Sequence, residues 1–166
     1  METIEQTLVL LKPDALDRGL LGEIIQRFER VGLKIVGMKL LQPNQQHAEG
    51  HYTEDLAVRR GAHVRKMMVD MLMSGPILAI VFEGIEAVEQ VRKMIGSTEP
   101  KTAAPGTIRG DYAHASFKHV DSNNSGMFNL IHGSSSVDEA KQEIAVWFAV
   151  DELVQHTPSY TKNTLA

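Results

Sequence analysis

The sequence feature that most constrains the fold is an unbroken apolar run at residues 77–82, which reads ILAIVF. Six apolar side chains in a row need apolar neighbours on both faces of a strand, so this strand is expected at the centre of a sheet. The run follows Ser74-Gly75-Pro76, which ends a helical stripe, and Gly84 is expected to begin the next helix. A central strand packed between helices is therefore the starting point for the fold.

The rest of the chain alternates between segments with strand and helix periodicity. Residues 7–11 and 33–41 are predicted strands, and Val36, Met38 and Leu40 are expected to share one face of the second. Apolar residues recur with helical spacing at 21–28, 64–72, 88–95 and 140–148. This order predicts an α+β fold, a ferredoxin-like sandwich in which helices cover a mostly antiparallel four-stranded sheet.

Length and composition limit the class of protein. The 166 residues are enough for one domain, expected to span 1–166, and the absence of cysteine excludes disulfide bonds and thiolate metal sites. The net charge of −4 gives no overall attraction to nucleic acid. No apolar run has the length of a signal sequence near the N-terminus or of a bilayer span elsewhere. A cytoplasmic protein with no membrane partner is therefore expected.

A candidate active residue, His132, stands in the stretch NLIHGSSS at residues 129–136. A short apolar run ends there, and Ser136 with Glu139 three residues later is typical of a helix N-terminus. His132 is thus expected at a strand end that faces a helix entrance. A neutral imidazole in that place can act as a nucleophile near pH 7. The same position can also hold a partly buried histidine with one structural hydrogen bond.

Glu143 is expected on the inward face of the last helix, three residues after Ala140 and four before Trp147. A carboxylate within an apolar stripe needs a partner, and His132 is the obvious candidate. A carboxylate that binds one imidazole nitrogen fixes the tautomer and leaves the other nitrogen free to attack. Glu143 can equally lie at the rim of the stripe and extend to water.

Three other features carry polar or charged side chains that could serve a site. Lys12 ends the first predicted strand, although a solvated lysine fits there as well. Residues 96–111 form a predicted loop whose hydroxyls, glycines and Arg109 suit a phosphate, although a surface crossover loop is the alternative. His47 and His51 would share a helix face, but no third metal ligand is evident, so no protein-bound metal is predicted.

Several stretches together resemble the nucleoside diphosphate kinase family. They are TLVLLKPD (7–14), RGL (18–20), GEII (22–25), HY (51–52), SGP (74–76), PGTIRGD (105–111) and NLIHGS (129–134). The resemblance covers nearly the whole chain in order. It implies that the γ-phosphoryl group of a nucleoside triphosphate passes to a nucleoside diphosphate by a ping-pong mechanism through a phosphohistidine. It also implies Mg²⁺ bound mainly through the nucleotide phosphates, and a homo-oligomer, either a hexamer or a tetramer.

The same resemblance implies roles for individual residues. The catalytic residues would be His132 as nucleophile, Glu143 to orient it, and Lys12. The nucleotide-binding residues would be Lys12, Tyr52, Arg59, Arg92, Thr98, Arg109, Asn129 and Ser134. Arg60 and Arg65 are the alternatives to Arg59 in this set. The implied partners are nucleoside di- and triphosphates, with no specific nucleic acid.

The chain departs from the family pattern in three places. Ser135 stands where the family usually has aspartate. The interval between Tyr52 and Ser74 is longer than usual and lacks the base-stacking phenylalanine, whose position aligns with Val64. The stretch at 113–126 is also longer than the family's connection before the catalytic strand. Insertions are therefore expected near 53–66 and 113–126. The changed interval between Tyr52 and Ser74 leaves open a catalytically weak nucleotide-binding module of the same fold, and a nucleic-acid-binding or scaffold role is a more distant alternative.

Overall fold

A computed structural model describes residues 3–123 and 125–161 of the chain. Within these residues, four strands form one sheet: β1 (Ile4–Leu11), β2 (Lys34–Leu41), β3 (Ile77–Ile85) and β4 (Ile131–Gly133). The strand order is β2-β3-β1-β4, and every pair is antiparallel. The predicted ferredoxin-like α+β sandwich with a four-stranded sheet is thus confirmed.

The helices of the described residues fill the connections between the strands. They are α1 (Pro13–Asp17), α2 (Leu21–Arg30), α3 (Gln45–His51), α4 (Glu54–Arg60), α5 (Ala62–Met73), α6 (Ala87–Ile95), α7 (Ile108–Tyr112), α8 (Phe117–Ser122) and α9 (Val137–Trp147). Short 3₁₀ turns occur at Pro100–Thr102 and Val150–Glu152. The segment expected to be a loop at 96–111 therefore includes most of α7, and the excursion at 113–126 contains α8.

The central strand β3 divides the core into two layers, as its apolar run predicts. Leu78, Ile80 and Phe82 point into one buried cluster, which α2 and α6 cover with residues such as Phe28 and Val91. The alternate side chains of β3 join a second cluster against α3, α5 and α9, which contains Ala48, Leu72 and Trp147. Period-two alternation in a strand buried on both faces explains this division.

Two local predictions were wrong. The helix expected from Gly84 begins only at Ala87, because β3 continues to Ile85 and Gly84 pairs with Glu5. Met38 and Leu40 do not share the buried environment of Val36, since they are 53% and 62% exposed. The register of β2 shifts between Ile35 and Gly37, and this β-bulge turns the later side chains over.

Candidate active site

The site forms where β1 and β4 end side by side. Leu10 pairs with His132 and Leu11 with Ile131, so Lys12 leaves β1 next to the segment that enters β4. The Lys12 ammonium is buried and donates a hydrogen bond to Asn129 Oδ1 at 2.8 Å. The strand pairing thus brings Lys12 next to the segment that holds Asn129 and His132, 117 or more positions later in the sequence.

His132 is held at one nitrogen and open at the other. Its Nε2 lies 2.8 Å from Glu143 Oε1, while no hydrogen bond or ion pair of Nδ1 occurs within residues 3–123 and 125–161. The other carboxylate oxygen of Glu143 accepts a hydrogen bond from Ser134 Oγ at 2.6 Å. Ser134 in turn accepts from the backbone N–H of Leu8. The predicted approach of Glu143 to His132 is therefore present, and Ser134 orients the carboxylate.

The electrostatic environment keeps His132 neutral. Burial is the main cause that lowers the pKa of His132 below 6.5, and the positive charge of Lys12 lowers it further. Burial also raises the pKa of Glu143. The pKa of Lys12 falls to about 8, first because of burial and then because Arg109 lies nearby, so this ammonium remains mostly protonated at pH 7. A neutral imidazole beside a cation is suited to attack an anionic phosphoryl group.

His51 also lines the site, although the sequence did not predict this position for it. Its ring meets that of His132 at 88°, with centroids 4.4 Å apart, and its Nδ1 lies 3.4 Å from Trp147 Nε1 and 3.6 Å from Glu143 Oε1. Burial is the main cause that lowers the pKa of His51. The neighbouring Tyr52 is also buried, and its ring lies 4.8 Å from that of His51. The sequence signal was only that His51 and Tyr52 belong to one motif.

Arg109 organises the loop beside His132. Its buried guanidinium donates to three backbone carbonyls: Asn129 at 3.1 Å, Gly96 at 3.2 Å, and Ile131. Burial and then the nearby Arg92 lower the pKa of Arg109 to about 10, which leaves it charged at pH 7. A buried cation that joins the loop to the entrance of β4 fixes both segments.

The remaining predicted phosphate contacts lie around the same entrance. Asn129 is buried and its Nδ2 donates to the carbonyl oxygen of Thr98 at 2.8 Å, and Thr98 is an exposed residue of the loop. Arg92, on α6, is exposed and its Nη1 lies 3.4 Å from the carbonyl oxygen of Gly133. Nine of the ten predicted residues thus gather around β4, α3 and this loop, and Arg59 is the exception.

Arg59 lies on α4 in the lid, which we define as residues 53–66. Its side chain is 62% exposed and pairs with Asp55 at 2.6 Å. Arg65 is instead anchored inward, because its Nε donates to the Tyr52 carbonyl at 2.7 Å and its Nη1 pairs with Glu54 at 3.0 Å. Arg65 is therefore the lid arginine that this structure connects to the site, and sequence spacing alone could not choose among Arg59, Arg60 and Arg65.

The donor atoms of the site bear on metal binding. Within the described part of the chain, His51, His132 and Glu143 form the one group whose potential ligand atoms lie within 4.8 Å of one another. His47, which the sequence paired with His51, stacks on Trp147 instead. Two imidazoles and one carboxylate do not suit Mg²⁺, which prefers an octahedron of oxygen ligands.

The chain is similar to proteins of one family over almost its whole length. A family model described as nucleoside diphosphate kinase matches residues 5–153. The nucleoside diphosphate kinase of Pyrococcus furiosus is 45% identical over 156 residues, which cover 94% of this chain and 90% of that protein.

None of the helices in residues 3–123 and 125–161 combines the length and the apolar character that crossing a membrane requires.

Two solved structures match the fold. One is a transition-state mimic of nucleoside-diphosphate kinase from Borrelia burgdorferi with bound vanadate and ADP, with a TM-score of 0.95, 37% identity and 98% coverage of both chains. The other is a halophilic nucleoside diphosphate kinase from Halobacterium salinarum in complex with CDP, with a TM-score of 0.82 and 40% identity, covering 96% of this chain and 97% of that one.

Proposed function

The chain belongs to the nucleoside diphosphate kinase family, and we propose that Nδ1 of His132 carries the phosphoryl group between its two nucleotides. The enzyme transfers the γ-phosphoryl group of a nucleoside triphosphate to a nucleoside diphosphate. The observation that carries the proposal is the contact between His132 Nε2 and Glu143, which leaves Nδ1 as the nitrogen available for attack. A nucleotide-binding module without turnover is not favoured, because the matching relatives are kinases.

The proposed reaction balances in two steps without an external acid or base. In the first, the Nδ1 lone pair of His132 forms a bond to the γ-phosphorus, and the bond from that phosphorus to the bridging oxygen breaks. The nucleoside diphosphate leaves with the electron pair. In the second, a terminal oxygen of another nucleoside diphosphate attacks the same phosphorus, and the N–P bond returns its electrons to Nδ1. The proton on Nε2 stays beside Glu143 throughout.

Cationic side chains around the entrance are proposed to neutralise the phosphate charge. Lys12, Arg92 and Arg109 approach the residues around His132 from the end of β1, from α6 and from α7. Phosphoryl transfer depends mainly on such positioning and on stabilisation of the equatorial oxygens. We propose that Tyr52 and Thr98 add hydroxyl contacts and that Asn129 with Lys12 reaches the ribose. Mg²⁺, bound mainly through the nucleotide phosphates, would supply further positive charge there.

The decisive experiment is brief incubation with γ-labelled ATP and Mg²⁺, followed by a chase with GDP. The wild-type protein should carry acid-labile label that moves to GDP, and His132→Ala should carry none. His119→Ala is the matched control, because His119 is an exposed histidine on α8, and it should label like the wild type. Label that persists in His132→Ala, or wild-type label that survives acid, would contradict the proposal.

We also propose that the enzyme is a cytoplasmic homo-oligomer, a hexamer or a tetramer. The exposed Met38 and Leu40 support this, since they place apolar surface on β2, an edge strand of the sheet. Light scattering after size-exclusion chromatography should give a mass four or six times that of the chain.

The insertions near 53–66 and 113–126 remain proposals, and in this structure the two ranges contain α4 and α8.

A further inference from the structure

An unusual turn lies two residues before His132. Leu130 has a φ of +70°, and the N–H of Ile131 donates to the carbonyl oxygen of Asn129 at 2.8 Å. A hydrogen bond across a single residue of positive φ defines a strained form of γ-turn, which non-glycine residues rarely adopt. Such backbone persists only where surrounding contacts determine it. The turn therefore needs a specific restraint.

The restraint comes from the segment that follows β1. The N–H of Leu130 donates to Asp14 Oδ2 at 2.9 Å, and the Leu130 carbonyl accepts from the Lys12 N–H at 2.8 Å. Both polar backbone groups of Leu130 are thus held by a stretch of three residues. Asp14 Oδ1 is buried and has no hydrogen bond within residues 3–123 and 125–161. The hydrogen bond from the Leu130 N–H to Oδ2 is therefore the main contact of the Asp14 carboxylate.

The turn connects two residues of the site. Asn129 precedes Leu130 and binds Lys12 and the Thr98 carbonyl with its side chain. His132 follows two residues later and faces Glu143. A rotation of the Leu130 peptide groups would therefore redirect the nucleotide-binding amide and the nucleophile together. Asp14 itself has no hydrogen bond or ion pair to His132, so two routes connect it to the reaction: the backbone of Leu130, and its charge, which raises the pKa of Lys12.

We propose that Asp14 is a positioning residue whose carboxylate holds the Leu130 γ-turn and so aims Asn129 and His132. This inference rests on the proposed role of His132 as the phosphorylated residue. It assigns to Asp14 a geometric task, acceptance of one backbone N–H, and not a charge-based task. A role limited to the first turn of α1, where Asp14 also lies, would not affect the orientation of His132.

Variants of Asp14 separate these roles. Asp14→Asn keeps an acceptor oxygen and removes the charge, whereas Asp14→Glu keeps the charge and moves the acceptor by one methylene. Asp14→Ala removes both, and the exposed Asp17→Ala on the same helix is the control. The readouts are the single-turnover rate of His132 phosphorylation at saturating γ-labelled ATP and the hydrogen exchange of the Leu130 amide.

Asp14→Ala and Asp14→Glu should phosphorylate His132 about 10-fold to 100-fold more slowly, the scale expected for a misplaced nucleophile, with faster Leu130 exchange. Asp14→Asn should stay within about threefold of wild type, as should Asp17→Ala. Equal losses in Asp14→Asn and Asp14→Glu, or a wild-type rate in Asp14→Glu, would overturn the proposal even where Asp14→Ala fails to fold. If wild-type protein forms no phosphohistidine, the proposed function fails. The hydrogen exchange of the Leu130 amide in the variants then still tests whether Asp14 holds the γ-turn.

Discussion

The nucleophile corner and the lid, two regions that border the same site, are built in opposite ways. The nucleophile corner consists of residues 129–134 with the parts of β1, α3 and α9 that contact them. Side-chain hydrogen bonds there join residues that are distant in the sequence. Lys12 binds Asn129, 117 positions away, and Ser134 binds the backbone of Leu8, 126 positions away. In and around the lid, Asp55 pairs with Arg59 and Lys66 with Asp70, each four positions apart and exposed. No residue of α4 is buried.

With His132 as the proposed phosphorylated residue, this difference predicts that the two regions affect different steps, phosphorylation and nucleotide binding. Buried contacts between distant segments fix the nucleophile corner only when the whole sheet is folded, and their loss leaves unpaired polar groups inside. Exposed pairs one helical turn apart contribute about 0.3–0.5 kcal/mol each and can be replaced locally. Substitutions in the nucleophile corner should therefore reduce the phosphorylation rate, whereas substitutions in the lid should mainly change nucleotide affinity.

The largest effect is expected for Glu143→Gln in the nucleophile corner. The amide can present an N–H to His132 Nε2, which would favour the tautomer with its proton on Nδ1 and block the attacking lone pair. Phosphorylation of His132 should slow by roughly 100-fold or more. Rapid-quench measurement with labelled ATP at saturating concentration isolates this step from nucleotide binding.

Glu139→Gln is the matched control, because Glu139 lies one turn earlier on α9, is exposed, and accepts hydrogen bonds from Ser135 outside the His132–Glu143 contact. It should phosphorylate at nearly the wild-type rate. A similar loss in both variants would show that the charge of α9, and not the orientation of His132, matters for the rate.

A second effect of burial in the nucleophile corner is a pH dependence of stability that depends on His51. Burial, and then proximity to His132, lower the pKa of His51 from 6.5 in the folded protein, while Glu143 raises it and Lys12 lowers it. Below about pH 6.5 the unfolded chain binds a proton at His51 that the folded chain does not, so stability falls as pH falls. Between pH 7.5 and 5.5 this group alone should cost about 1.4 kcal/mol.

Urea unfolding of wild type and His51→Asn at both pH values measures that contribution. The variant should lose about 1.4 kcal/mol less than wild type on acidification, whatever its stability at pH 7.5. The raised pKa of Glu143 acts in the opposite direction and is present in both proteins. Equal losses would mean that His51 gains a proton in the folded protein as readily as in the unfolded one.

The comparison also explains which features the sequence could predict. The burial of β3 on both faces follows from its apolar run, and the placement of Glu143 follows from helical spacing, since both patterns are local. The approach of Glu143 to His132 could be expected because His132 had to face the helix that Ser136 begins. Local periodicity was therefore enough for the fold and for the central contact of the site.

Features that depend on tertiary structure could not be predicted in this way. The Leu130 γ-turn exists because Asp14 and Lys12 hold it from 116 or more positions away. The β-bulge at Val36 follows from pairing with β3, and it exposes Met38 and Leu40 against a pattern that predicted one shared face. His51 gained its place because α3 packs on α9, a contact that leaves no signal in the sequence around His51.

The smallest effect is expected in the lid, where Arg65→Ala is compared with Arg59→Ala. Arg65 donates to the Tyr52 carbonyl and pairs with Glu54, so it connects the lid to the site. Loss of one such hydrogen bond is worth about 1 kcal/mol, which should weaken ADP binding roughly fivefold. The exposed pair of Arg59 with Asp55 should change ADP affinity by less than about twofold. Isothermal titration calorimetry of both variants measures the two effects.

The two arginine variants also test the division between the regions. Neither should change the rate of His132 phosphorylation at saturating nucleotide by more than about twofold, because neither arginine contacts the nucleophile corner except through the Tyr52 backbone. If Arg59→Ala weakens ADP binding more than Arg65→Ala, Arg59 contacts the nucleotide as the sequence predicted, and the lid must then rotate inward from the position seen here. A loss of rate in Arg65→Ala would instead make the lid part of the catalytic apparatus, because its anchor at Tyr52 would then position His51 as well.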